Sequence, residues 1–248
     1  MHDDDSRDGH AAIRDFYDHE YYRDLPAQAG PSMHQRRLAR RLDIGWADAV
    51  LDVACGAGGW LAACAARGAT VAGIDLSERA IDCCRRTLPA GEFHVGPAET
   101  LPFPAARFSV VSCLGSLEHF LDPDAALTEM RRVARRDARF LILVPNAGFL
   151  TRRLGLYRGT FQVQAREEVL PLAAWEALFH RNGLEVVARW RDLHVLSWQW
   201  IMRRPRRAAP LRALQAFALA CWPLAWQYQV YFECRNREPG RPSSPAHT

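Results

Sequence analysis

Residues 50–59 read Val-Leu-Asp-Val-Ala-Cys-Gly-Ala-Gly-Gly, and a second acid, Asp75, closes the next apolar run. An apolar strand enters a glycine turn and then a helix, and the following strand ends on an acid. That is how a parallel α/β sheet builds a pocket for an adenosine-containing ligand. Gly56 and Gly58 allow the backbone to come close to a ligand. Further along, His119 follows an apolar run at the mouth of the same sheet, and its imidazole has an ordinary pKa suited to proton transfer near neutrality.

The spacing of the glycines narrows the ligand. A dinucleotide site asks for Gly-x-Gly-x-x-Gly, and the third glycine here falls on Leu61. A phosphate loop needs Gly-x-x-x-x-Gly-Lys-Ser/Thr, and the chain contains no lysine at all. Neither a dinucleotide nor a nucleoside triphosphate fits the pattern.

With Asp52 upstream of the turn, the segment resembles motif I of the class I S-adenosylmethionine-dependent methyltransferases, which reads apolar-apolar-Asp-x-Gly-Cys-Gly-x-Gly. Ala54 stands in place of the family's first glycine, a mild change by size. The loop Gly96-Pro97-Ala98-Glu99-Thr100-Leu101-Pro102-Phe103 is similar to the family's adenine loop, with Pro97 in place of the usual acid. The run Leu114-Gly115-Ser116-Leu117-Glu118-His119 resembles the segment that passes under the transferred methyl group.

The resemblance implies S-adenosyl-L-methionine as cofactor and S-adenosyl-L-homocysteine as product. Its site would comprise Asp52, Ala54, Cys55, Gly56, Gly58, Asp75, Leu76, Ala98, Glu99, Leu114 and Tyr22. In that assignment Asp52 holds the ammonium through water, and helix amides meet the carboxylate. Asp75 accepts the ribose hydroxyls, while Leu76 and the Ala98 backbone meet the adenine. Glu99 compensates for the acceptor lost at Pro97. Methyl transfer to oxygen gains from a base, and His119 is the candidate catalytic residue; a cofactor-contacting or core histidine is the alternative. Glu118 is expected to turn into the fold and hold backbone amides. Phe16, Tyr17, Tyr21 and Tyr22 resemble the aromatic lid of small-molecule members, a helix stripe packed on the sheet being the alternative and the favoured one for Phe16, and Arg36 or Arg37 is a further candidate for the cofactor carboxylate.

The elements that must position these residues follow from pattern. Strands are expected at 49–54, 70–75, 92–95, 108–114 and 139–144. Helices are expected at 58–67, closed by Gly68, from Ser77 to about 88, and from Asp122-Pro123 to about 136. Alternation of strand and helix predicts a parallel sheet buried on both faces. A helix at 172–182 and strands at 184–190 and 229–234 complete the sheet. The pattern gives the fold class α/β, and the resemblance implies a Rossmann-like class I methyltransferase fold. It has a seven-stranded, mostly parallel sheet, a C-terminal antiparallel hairpin and helices on both faces. The division is an N-terminal helical lid at 1–46, a cofactor-binding core at 47–147 and a C-terminal completion at 148–248. A loop at 148–167 and a Trp-rich helical insertion at 193–226 cover the substrate, and residues 1–10 are read as disordered.

Composition bounds the partners. All 32 basic residues are arginine, and the net charge is +4. Residues 1–147 hold 17 Arg against 21 acids, whereas residues 148–248 hold 15 Arg against 7 acids. A basic C-terminal part suits an anionic substrate, a nucleic acid or a membrane surface, or is a solvated face. No Asn/Asp-Pro-Pro-Tyr/Phe element follows the fourth strand, which argues against methylation of a base amine. The charge-free stretch 213–232 contains Pro223 and three glutamines. It reads as a core helix plus the last strand rather than a bilayer span, with interfacial contact or a homodimer face left open.

Seven cysteines without a Cys-x-x-Cys pair read as free thiols in a reducing, cytoplasmic compartment. The acidic N-terminus does not read as a signal peptide. His34, His180 and His194 are isolated and fit no metal spacing, so no metal is expected. The function implied is methylation of a small or lipidic metabolite, most simply at oxygen, by a monomer or homodimer. Transfer to nitrogen or carbon, transfer to nucleic acid, and a noncatalytic cofactor-binding scaffold are the alternatives.

Overall fold

The computed structural model describes residues 9–10, 13–15, 17–23, 30–153, 168–194, 201–202 and 206–237. Expectations for 1–8, Phe16, the 154–167 part of the loop and residues 195–200 lie outside the described residues. Seven strands form one sheet: β1 Ala49–Val53, β2 Thr70–Asp75, β3 Glu92–Val95, β4 Phe108–Leu114, β5 Ala134–Pro145, β6 Leu184–Arg191 and β7 Gln229–Asn236. Their order is β3-β2-β1-β4-β5-β7-β6. β1 to β5 are parallel, and β7 runs antiparallel between β5 and β6. The expected fold class is the one observed.

Helices α1 Met33–Arg41, α2 Gly59–Ala65 and α3 Glu78–Thr87 cover one face; α4 Pro123–Val133 and α5 Leu172–Arg181 cover the other. The strands are apolar runs because both faces are covered. Leu38, Trp60, Leu61 and Ile81 pack with Val50, Val110 and Leu141 on the first side. Leu127, Met130, Trp175 and Phe179 pack with Val111, Phe140 and Phe232 on the second. Caps set the helix starts. Ser77 accepts from the Ala80 amide at 3.1 Å, and Asp122 accepts from the Ala125 amide at 2.9 Å with Pro123 behind it. Ser32 begins α1 with a capping box to Gln35.

Two expectations change. α4 stops at Val133 rather than near 136, and β5 begins at Ala134. Ala134 pairs with Phe108, and the Asn236 side chain donates to the Arg135 and Arg136 carbonyls. Sheet pairing thus takes three residues that helix propensity would have kept. The second change concerns α6, Ala209–Cys221. It is not a core helix: Ala216 is its buried residue, while Leu211, Leu214 and Phe217 are 66–68% exposed. Among the described residues, no helix is long and apolar enough to cross a membrane.

The turn after β1 carries more strain than the size of Ala54 suggests. Ala54 has φ +60°, followed by Gly56 at +51° and Gly58 at +78°. A residue with a Cβ is disfavoured in the left-handed region. Ala54→Gly is therefore expected to raise unfolding stability by about 1 kcal/mol, read as an upward shift in thermal midpoint. An unchanged or lower midpoint would show that the turn carries no such strain.

Candidate active site

β1 and β4 are neighbours whose connections leave in opposite directions, so a crevice opens beyond their C-terminal ends. A cavity of about 950 Å³ occupies it. The structure brings Asp52, Ala54, Cys55, Gly56, Asp75, Leu76, Ala98, Glu99, Leu114, Tyr22 and His119 together on its wall. Gly58 is the exception. A Cβ there would lie 2.8 Å from Cys84 Sγ, so its bareness serves the packing of α2 on α3.

Asp75 organises the glycine turn. Its Oδ2 accepts from the Gly56 amide at 2.8 Å and its Oδ1 from the Ser77 amide at 2.9 Å. Burial pushes its pKa up, and these amides pull against that shift. A carboxylate has about four acceptor sites, so each oxygen retains capacity for a ligand hydroxyl. The Tyr22 hydroxyl stands 2.8 Å from where a Gly56 Cβ would be, so this cradle closes only over glycine. Burial, reinforced by Asp75, raises the Tyr22 pKa well above its usual value.

The N-terminal aromatic segment is placed by contacts that sequence reading missed. Tyr17–Tyr21 forms a π-helical turn, and the rings of Tyr17, Tyr21 and Tyr22 lie 4.9–6.0 Å apart. Asp18 accepts from the Ser77 hydroxyl at 2.5 Å, and the Arg79 guanidinium donates to the Asp18 carbonyl. This segment thereby docks on the N-terminus of α3, where an acid suits the helix dipole. No local signal marks Asp18, because its partners lie about sixty residues away in sequence.

A second polar network lies along the cavity wall. Asp52 is buried, and its Oδ1 is 2.6 Å from Ser112 Oγ, which accepts from Trp60 Nε1 at 2.9 Å. Burial pushes the Asp52 pKa up to about 8, against the Ser112 hydrogen bond. The adenine-type loop is pinned from α4. Arg132 donates to the carbonyls of Leu101 and Phe103, and Glu129 accepts from the Leu101 amide. Glu99 accepts from the Asp122 amide at 3.2 Å and lies 3.3 Å from His10 Nε2.

Glu118 is buried and lines the cavity next to His119. Arg36 and Arg37 are not on its wall; Gln35 is. His34 and His194 are not isolated, since both reach Asp192. Among the described residues no group of three or more His, Cys, Asp or Glu could hold a metal. Six cysteines are free and buried, and Cys221 is exposed. The bare glycine cradle, the doubly anchored acid and the cavity size fit an adenosine ligand with an amino-acid tail.

Asp52 has a consequence for folding. Its native pKa of about 8 lies above the ordinary carboxyl value of about 3.9, so the native state binds its proton more tightly than the unfolded chain. Stability from this group falls as pH rises between those two values. Asp52→Asn removes the effect while keeping an acceptor for Ser112. The variant is expected to gain thermal midpoint over the parent as pH goes from 5 to 8, at about 2–4 °C per kcal/mol. A gap independent of pH would place the Asp52 pKa in the ordinary range.

Residues 51–142 match the family model described as a methyltransferase domain. The uncharacterized methyltransferase YcgJ of Bacillus subtilis is 27% identical over 167 residues, 62% of this chain and 64% of that one. A ubiquinone biosynthesis O-methyltransferase of Aromatoleum aromaticum is 33% identical over 40% of this chain and 45% of its own. A fatty-acid O-methyltransferase of Mycolicibacterium smegmatis is 40% identical over 37% and 35%. The chain thus spans less than two thirds of the length of these relatives. In fold it is similar to Burkholderia thailandensis 1,6-didemethyltoxoflavin-N1-methyltransferase, solved with that compound and S-adenosylhomocysteine, at TM-score 0.61 and 18% identity. That likeness covers 94% of this chain and 91% of the other. The crystal structure of the B. subtilis YcgJ protein gives 0.58 and 19% over 84% of this chain and 100% of the other. Residues 51–142 thus carry a methyltransferase domain, and the sheet order and fold are those of the class I S-adenosylmethionine-dependent methyltransferases.

Proposed function

We propose that this protein transfers a methyl group from S-adenosylmethionine to a hydroxyl of a small or lipidic metabolite. The observation that carries the reading is the Asp75–Gly56 cradle at the point where β1 and β4 diverge. When bound, the cofactor supplies a methyl group on a sulfonium leaving group. Asp75 accepts the two ribose hydroxyls with the acceptor sites its amides leave open. The Gly56 turn lets the tail come close, and Asp52, once ionised by the ligand's ammonium, balances that charge. Leu76 and Ala98 flank the base. Residues 1–46 act as the lid, 47–147 as the cofactor core and 148–248 as the acceptor-side cover.

A lipidic acceptor is supported from two sides. Relatives named for fatty-acid and ubiquinone-pathway methylation match the core. The exposed Leu211, Leu214 and Phe217 on α6 follow the exposed Arg206 and Arg207. An apolar stripe beside arginines suits the surface of an anionic lipid phase.

Calorimetric titration with S-adenosylmethionine and with S-adenosylhomocysteine tests the reading. Micromolar binding is expected, weakened at least about 100-fold by Asp75→Ala, the scale of a buried charged hydrogen-bond acceptor. Absence of binding by the parent protein would sink the reading. For His119, loss of turnover in His119→Ala with cofactor affinity retained would make it the base. Equal loss of both would make it a wall of the cofactor cavity.

A further inference from the structure

A second cavity, of about 410 Å³, adjoins the first and shares Gln35, Leu114 and Gln229 with it. Three elements from opposite ends of the chain meet there. α1 contributes His34, the segment after β6 contributes Asp192 and His194, and β7 contributes Tyr231. Asp192 is nearly fully buried, with 5% of its side chain exposed. Its Oδ2 is 2.5 Å from His194 Nδ1, and its Oδ1 accepts from the His194 amide at 3.0 Å. Its Oδ1 also lies 3.2 Å from His34 Nε2, which is 2.9 Å from the Tyr231 hydroxyl.

The geometry of this group is that of an oriented imidazole. A buried carboxylate on Nδ1 fixes the tautomer and leaves Nε2 as the basic nitrogen. The carboxylate stays charged although burial opposes it. The hydrogen bond from His194 and the charges of both imidazoles hold the Asp192 pKa below its ordinary value. The hydrogen bond to Asp192 raises the His194 pKa, with burial pulling the other way. His34 is lowered, chiefly by burial, with His194 and Arg37 adding to the effect and Asp192 opposing it. Burial therefore disfavours charge on His34, and Asp192 makes His194 the stronger base of the pair.

We propose that this second cavity seats the acceptor and that His194, oriented by Asp192, takes the proton of a phenolic or enolic hydroxyl as it is methylated. The inference rests on the methyltransferase reading above. It deepens that reading by assigning the proton to His194 and leaving His119 on the cofactor wall. The cavity joins the main one at Leu114, the last residue of β4, which places a bound hydroxyl beside the methyl end of the crevice. Leu38, Leu114 and Leu143 form its apolar side, fit for an aromatic ring. An imidazole base matches a hydroxyl with a pKa of about 10, as in phenols, far better than an aliphatic alcohol. In the step itself, the acceptor oxygen forms its bond to the methyl carbon as the carbon–sulfur bond breaks. The bonding pair leaves with sulfur, and the hydroxyl proton passes to His194 Nε2 and then to solvent. His34 is a positioning residue acting through Asp192, and Tyr231 is one acting through His34.

4-Nitrophenol tests this, because its phenolate absorbs visible light and so reports where the proton is. Calorimetry with S-adenosylhomocysteine comes first; no binding there defeats the methyltransferase reading, and this inference with it. With that complex formed, 4-nitrophenol is expected to bind and to ionise below its solution midpoint. Histidine-labelled NMR should show His194 perturbed by the probe. His194→Ala should abolish the ionisation shift and leave S-adenosylhomocysteine affinity within about twofold. Asp192→Asn should lower the His194 midpoint, and His194→Gln should slow transfer to the probe about 100-fold with KM little changed. If the homocysteine product binds but the probe leaves the His194 signal unmoved, the second cavity is not the acceptor site. Normal ionisation or transfer in His194→Gln, or binding without transfer in the parent, would reduce the Asp192 cluster to a structural tie between α1 and the sheet.

Discussion

The carboxylate of Asp75 is the joint on which the site depends. It ends β2, accepts the amide that starts the glycine turn after β1 and accepts the amide that starts α3. One buried acid therefore sets the spacing of two strand ends and the left-handed course of the turn between them. Such an acid is costly to bury alone, and the two amides offset the loss of water. The Ser77 hydroxyl passes the restraint on to Asp18, so the lid is fastened to the same point. Loss of any part would loosen the glycine turn and the Tyr17–Tyr21 segment together.

Around that joint the chain arranges its buried polar groups in separate networks. Asp52 and Trp60 line the larger cavity and meet at Ser112. Asp192, His34, His194 and Tyr231 lie at the end of the smaller one. The two acids differ in their partners. Asp52 has a hydroxyl beside it and burial drives its pKa upward, whereas Asp192 has two imidazoles and stays below its ordinary value. A carboxyl that is poorly compensated until a cation arrives suits recognition of an ammonium. One that is already compensated suits orientation of a base.

Much of this was legible along the chain because the relevant interactions are local. The glycine turn, the acids at strand ends, the caps at Ser77 and Asp122, and the alternating apolar runs each occupy a few neighbouring residues. Their periodicity implies a parallel sheet without any knowledge of contacts. The boundaries of α4 and β5 were not legible in this way, since Ala134–Arg136 has helical neighbours and is claimed by pairing with Phe108 and by Asn236. The size of Ala54 suggested an easy substitution, but its backbone conformation is a property of the folded turn.

The residues themselves determined the fold class, the strand-end acids and the place of the crevice, because hydrophobic period and turn chemistry are written within short windows. Only the tertiary structure decided which distant side chains share a cavity. His34 and His194 stand 160 positions apart and looked solitary; β7 brings Tyr231 against His34, and Asp192 joins the two imidazoles. Asp18 reached the α3 terminus in the same manner, and α6 turned its apolar stripe outward although its composition suited a core. The physical reason is common to all three. A side chain's partner is chosen by packing of the whole sheet and its covering layers, and sequence spacing carries no record of that choice.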